Sequence, residues 1–135
     1  MSAITGVDHV ALTVSDLERS TEWYQEVFGL VKIAAVEEGG GARRKVVLRH
    51  PASGLRIGLV THLSRSPDPF DETRIGLDHL SLAVPSQGEL EAMQQRLEQL
   101  GARQSPIAEG LGGALVLVFR DPDNIQLELV FRSTP

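Results

Sequence analysis

His9, His79 and Glu128 are the residues of this chain best suited to hold a divalent metal ion. Two imidazoles and one carboxylate with coordination positions left open make up the ligand set of non-haem Fe(II) oxygenases, and the same donors suit Mn, Zn, Ni or Co. A metal so held polarises an oxygen, acidifies a bound water or templates a bidentate ligand. The spacing carries the argument. Residues 8–14 read Asp-His-Val-Ala-Leu-Thr-Val, and seventy residues later residues 78–84 read Asp-His-Leu-Ser-Leu-Ala-Val. The same offset maps Gly58 onto Glu128. Two halves related by a pseudo-twofold would gather these four positions about its axis. Three carry ligand-type side chains, and the fourth, Gly58, is expected to leave room for water or substrate.

Elements of a definite kind must position these residues. Each Asp-His segment alternates with period 2, the pattern of a strand. Each runs into a capping-box pattern, Ser15-x-x-Glu18 and Ser86-x-x-Glu89, which predicts a helix start. The first helix is expected to reach Phe28 with Leu17, Tyr24 and Phe28 near one face, and Gly29 to end it in the left-handed conformation. The second is expected to reach Leu100, with Leu90, Met93, Leu97 and Leu100 as its apolar stripe and Gly101 as its stop. Residues 49–60 and 120–130 both read as strand, Pro-containing turn, strand, with one residue gapped in the turn. One further strand is predicted in each half, over Val31–Val36 and over Arg103–Ala108. The result is an α+β domain over 1–135: a βαβββ module at about 5–63, a polar linker with Pro67 and Pro69 at about 64–76, and a second βαβββ module at about 77–132.

Strand parity sorts the side chains. Val10, Leu12 and Val14 oppose His9, Ala11 and Thr13; Leu80, Leu82 and Val84 oppose His79, Ser81 and Ala83. Leu127 and Leu129 oppose Gln126, Glu128 and Val130, and Ile57 and Leu59 oppose Arg56, Gly58, Val60 and His62. Large aliphatics thus share one face and the candidate ligands the other, among small or polar neighbours. That is the pattern of a curved mixed sheet lining a cavity with helices outside. Thr13, Ser81, Arg56 and Gln126 are candidate substrate contacts on the ligand face, Arg56 and Arg132 through a substrate anion. His62, near a strand end on that face, is a candidate acid/base. His50, before Pro51, is expected in an exposed turn, and Trp23 and Phe28 are expected to pack.

Composition narrows the function classes. The net charge of −5 leaves no broad basic face for nucleic acid. The absence of cysteine excludes disulfides, thiolate metal sites and thiol nucleophiles. No apolar run approaches the ~20 residues of a membrane span. The opening residues lack the basic and apolar regions of a signal peptide, so a cytoplasmic location is expected.

The stretches DHVALTVSDLERSTEWYQEVFGL, GLDHLSLAV and FRDPDNIQLELV together resemble the vicinal oxygen chelate superfamily, also called the glyoxalase/bleomycin resistance/extradiol dioxygenase family. The resemblance covers nearly the whole chain. It implies paired βαβββ modules, a homodimer, and a divalent metal on first-strand His9, fifth-strand His79 and last-strand Glu128. Glyoxalase I and methylmalonyl-CoA epimerase place a Glu or Gln where Gly58 stands, which argues against both. The remaining ligand set is similar to that of extradiol dioxygenases and fosfomycin thiol transferases. The single tyrosine, Tyr24, lies on the first helix, and Ala11 stands where the fosfomycin enzymes have a Thr. Two functions follow as expectations. One is a metal-dependent lyase, isomerase, transferase or dioxygenase acting on a small oxygen-chelating molecule. The other is a binding protein that sequesters a hydrophobic drug or metabolite.

Overall fold

Alternation builds strand β1 (Val10–Thr13), whose Leu12 is buried between exposed Ala11 and Thr13. Helix α1 (Leu17–Phe28) buries Leu17, Ser20, Tyr24 and Val27 along one stripe, and Trp23 packs edge-on against Tyr24 and Phe28, which are tilted against each other. Gly29 ends it with φ 66°, a left-handed conformation that a side chain disfavours, and returns its N–H to Gln25. The start differs from the capping-box expectation. Asp16, not Ser15, is the N-cap, its carboxylate accepting from Arg19 N–H at 3.0 Å. The Ser15 hydroxyl instead accepts from the Arg19 guanidinium at 3.1 Å. An ionised cap satisfies a free N–H and also complements the helix dipole, so aspartate wins over the neighbouring serine.

Three strands complete the first module: β2 (Val31–Glu38), β3 (Arg43–Arg49) and β4 (Arg56–His62). The sheet order is β1-β4-β3-β2, with β1 parallel to β4 and the other pairs antiparallel. Val46, Leu48, Ile57 and Leu59 are buried on the face toward α1, completing its core with Leu12 and Val14. A fully buried Leu contributes ~1.5–3 kcal/mol relative to its exposed state. Edge strand β2 is exposed throughout, Val31, Ile33 and Val36 included. The β3–β4 turn closes through His50. Its carbonyl accepts from Gly54 N–H at 2.8 Å, and the Ser53 hydroxyl and N–H reach its Nδ1 at 2.8 and 3.2 Å. His50 is therefore half-buried and part of the turn rather than an exposed loop residue.

The second module repeats the plan with β5 (Leu80–Ala83), α2 (Gln87–Gln99), β6 (Ala108–Glu109), β7 (Leu115–Arg120) and β8 (Gln126–Phe131), in the order β5-β8-β7-β6. Ser86 caps α2, accepting from Glu89 N–H, and Gly101 follows it with φ 69°. Leu90 and Leu97 are fully buried, whereas Leu100, expected in the apolar stripe, is 38% exposed at the helix end. The strand predicted over Arg103–Ala108 is shorter than expected. It touches β7 through a lone bridge from Gln104 to Phe119, breaks at Pro106, and resumes as two-residue β6. Proline has no N–H for the ladder, which accounts for the interruption. The β7–β8 turn is built on buried Asp121, whose Oδ1 accepts from the N–H of Asp123 and of Ile125, with Asn124 at φ 69°.

These elements come from a computed structural model that describes residues 3–133. They form two compact units, Met1–Pro67 and Asp68–Pro135. Each is a four-stranded mixed sheet with one helix, the α+β pattern of two βαβββ modules. Residues 70–72 belong to the second unit: Phe70 pairs with Asp123 and Asn124, and Glu72 forms a two-point ion pair with Arg120 at 2.8 and 2.9 Å. Among the described residues no helix is long and apolar enough to cross a membrane.

Candidate metal centre

β5 and β8 run parallel with Ser81 opposite Glu128, so the turn into β5 sets His79 beside the same strand. The His79 Nε2 and Glu128 Oε1 atoms lie 3.6 Å apart. Donors each about 2.1 Å from one ion and at a tetrahedral angle lie about 3.4 Å apart, so this separation fits a shared metal. Both donors are held from behind. His79 Nδ1 lies 2.7 Å from Asp78 Oδ1, and the Ser81 hydroxyl donates to Glu128 Oε1 at 2.8 Å. A carboxylate only accepts, so Asp78 fixes the proton on Nδ1 and leaves the Nε2 lone pair for a ligand. Glu128, with a side chain only 16% exposed, lacks any Lys or Arg partner among the described residues. A half-buried carboxylate facing an imidazole lone pair suits a cation between them.

The first module repeats half of this arrangement. His9 Nδ1 lies 2.7 Å from Asp8 Oδ2, again leaving Nε2 free. The hydrogen bond to His9 holds the Asp8 carboxyl below its ordinary range, and Arg56 adds a smaller lowering. Asp8 and Asp78 were not assigned a role from sequence. The signal was present, since both candidate histidines are preceded by aspartate, but the side-chain contact is what identifies an orienting pair. Within the second unit His79 and Glu128 converge, and among the described residues no group of three or more His, Asp and Glu side chains could hold a metal ion.

The other candidates fall out differently. Ser81 supports Glu128 directly. The Gln126 carbonyl accepts from the Arg120 guanidinium at 2.9 Å, which places it in the Glu72–Arg120 network. Thr13 is exposed on β1 opposite Val60, Arg56 is exposed at the start of β4, and His62 is half-buried at its end opposite Arg43. The Arg132 guanidinium reaches the Leu111 carbonyl at 3.3 Å. Gly58 departs from expectation. The space above it is not open: a Cβ built there would meet Lys45 Cε at 2.9 Å, with Nζ at 3.6 Å. The lysine stem from β3 lies across the glycine, so the fourth position is covered by a cationic side chain.

A cavity of about 810 Å³ opens on the ligand face of the second module. His79, Ser81, Glu128, Glu109 and Arg132 supply polar groups, and Ala83, Val84, Pro106, Ala108, Val116, Val118 and Val130 supply small apolar wall. Its size falls within the range of small-molecule sites.

A sequence model of the Glyoxalase/Bleomycin resistance protein/Dioxygenase superfamily matches residues 6–129. Among solved structures, a glyoxylase/bleomycin resistance protein/dioxygenase domain from Frankia sp. EAN1pec is 39% identical, with a TM-score of 0.88 over 96% of this chain and 98% of that one. The glyoxalase family protein from Enterococcus faecalis is 22% identical, with a TM-score of 0.77 over 93% and 97%. The fosfomycin resistance protein FosX from Listeria monocytogenes, complexed with Mn(II) and sulfate, is 21% identical, with a TM-score of 0.74 over 97% and 95%. No curated protein matches the chain. The repeated βαβββ plan and the match over residues 6–129 place this chain in the glyoxalase/bleomycin resistance protein/dioxygenase superfamily.

Proposed function

We propose that this protein is a divalent-metal-dependent enzyme acting on a small organic molecule that binds the metal through oxygen, by lyase, isomerase, transferase or dioxygenase chemistry. The observation that carries the reading is the pair His79 Nε2 and Glu128 Oε1, 3.6 Å apart on the cavity wall, each held by its own partner. His79 and Glu128 hold the ion, and His9, its imidazole oriented by Asp8 in the same way, is the third ligand. The sequence repeat rather than a distance supports that third assignment. When bound, the metal supplies Lewis acidity toward a substrate oxygen. The protein residues orient the ligands, keep the carboxylate in place, and present an apolar wall that excludes water from the bound molecule. The Mn(II) in the structurally similar FosX supports manganese as the first metal to test. A homodimer, the assembly expected from the family resemblance, is part of the same proposal.

Metal analysis after purification without chelator tests it. We expect about one equivalent of Mn, Fe, Zn, Ni or Co per chain, and its loss in His79→Ala and Glu128→Gln. Unchanged metal affinity in Glu128→Gln would overturn the assignment. The apolar cavity wall favours one alternative, a protein that sequesters a hydrophobic molecule. Ligand affinity indifferent to both substitutions, with no turnover in metal-loaded protein, identifies that case.

A further inference from the structure

Strand register divides the floor of the second module's cavity into rows. Ser81, Glu128 and Val118 lie opposite one another across β5, β8 and β7. Ala83, Val130, Val116 and Ala108 form the next row, which reaches β6. All of these residues line the cavity. The first row, with His79 beside it, carries the candidate metal donors, and the second is wholly apolar. Arg132 stands one residue past β8 and continues its alternation, so it falls in a third row, and it too lines the cavity. Four residues of extended chain, about 13 Å, separate it from Glu128. The short turn at Leu111–Gly113 steadies it: the Leu111 carbonyl accepts from Arg132 Nη1 at 3.3 Å. That contact uses one of the five guanidinium N–H groups and neutralises none of the charge. Among the described residues no carboxylate pairs with Arg132, Glu109 on the same cavity wall included. The cavity thus has a metal-donor end, an apolar middle and a cationic end.

We propose that Arg132 binds a carboxylate at the far end of the substrate, which then has a metal-binding oxygen at one end, an apolar body in the middle and a carboxylate at the other. The inference rests on the small-molecule reading above and adds the substrate's shape and charge to it. A guanidinium meets a carboxylate through two parallel hydrogen bonds. Its single positive charge matches a carboxylate, whereas a doubly charged phosphonate would keep an excess charge beside Glu109. The Ala and Val side chains of the middle row leave depth for the body and offer it no polar partner.

Hexanoate, hexanol and hexylphosphonate, which share one apolar tail and differ in the head, are titrated into full-length protein stripped of metal. Affinities and the Arg132 Nε–Hε signal are read by nuclear magnetic resonance, the signal being identified by its absence from Arg132→Met. Hexanoate should bind about tenfold more tightly than hexanol, the worth of one charge-assisted contact, and it alone of the two should move the Arg132 signal saturably. In Arg132→Met the hexanoate-to-hexanol ratio should fall to about one, Arg132→Lys should keep part of it, and Glu109→Gln should raise it. The ratio is taken within each protein, so a general loosening of the cavity cancels. Should a variant fail to fold, the ratio and the Arg132 signal of the unsubstituted protein still decide. Equal affinities in that protein, an unmoved Arg132 signal, or an unchanged ratio in Arg132→Met would overturn the proposal, and tighter binding of hexylphosphonate would overturn the carboxylate. Binding of neither hexanoate nor hexanol removes the small-molecule cavity along with the proposal, whereas equal binding removes the charge alone. Metal content, measured separately, reports on the metal assignment.

Discussion

A histidine ligand is only as good as the group behind it, and both candidate histidines have that group as their immediate neighbour. Asp8 and Asp78 each lie 2.7 Å from an Nδ1. The contact fixes the tautomer and orients the ring. Asp78→Asn keeps the shape but replaces a fixed acceptor with an amide that can also donate. It should lower metal affinity by roughly 10–100-fold with little effect on folding, read by competition with a chromophoric chelator. An unchanged affinity would mean that Asp78 merely solubilises the turn. Ser81→Ala removes the hydroxyl from Glu128 Oε1 and should act in the same direction. The candidate ligand residues and their offset stood out in the sequence because a repeat exposes coincidences between halves. The lysine over Gly58 was not. It depends on the β3–β4 register, which the His50–Gly54 turn sets, and on the direction in which one long side chain leans.

Among elements, the helix starts show how a pattern can predict the right place through the wrong residue. Ser15-x-x-Glu18 marked the start of α1 correctly, yet the cap is Asp16. Asp16→Ala should cost about 1 kcal/mol of stability, whereas Ser15→Ala should stay within about 0.5 kcal/mol, as for an exposed surface change. Urea unfolding of the two variants reads the difference, and the reverse order of costs would restore the serine as cap. In α2 the same pattern worked directly, because Ser86 is followed by uncharged Gln87 rather than a competing aspartate. Strand prediction failed only where the ladder itself fails. Residues 103–108 carry an extended pattern, but Pro106 removes a donor, so pairing survives at Gln104 and again at Ala108. The matching strand of the first module has no proline and runs eight residues, Val31–Glu38.

For the whole molecule, the repeat made the topology readable: both modules fold with the same strand order, helix placement and turn position. What the repeat could not convey is how the two copies diverge, and charge is where they do. In the first module Lys45 lies across Gly58, while in the second Arg120 turns inward on an acidic clasp. Arg120 is held by Glu72 at 2.8 and 2.9 Å and by Gln126, so the chain entering the second module is tied to the β7–β8 hairpin. The Arg120 hydrogen bonds hold the Glu72 carboxyl down to about 2 from an ordinary 4.5. A carboxyl whose folded pKa is depressed adds stability that is fully present above its unfolded value. That stability is lost as pH falls toward the folded one. The clasp should therefore stabilise the second module at neutral pH and weaken between about pH 4.5 and about pH 2. Glu72→Gln removes this dependence. Its stability should lie below that of the unsubstituted protein at pH 7, and the two curves should converge as pH drops through that window, in urea unfolding at a series of pH values. A gap that stays constant down to pH 2 would mean that Glu72 holds Arg120 by shape and hydrogen bonding alone, with no contribution from its charge.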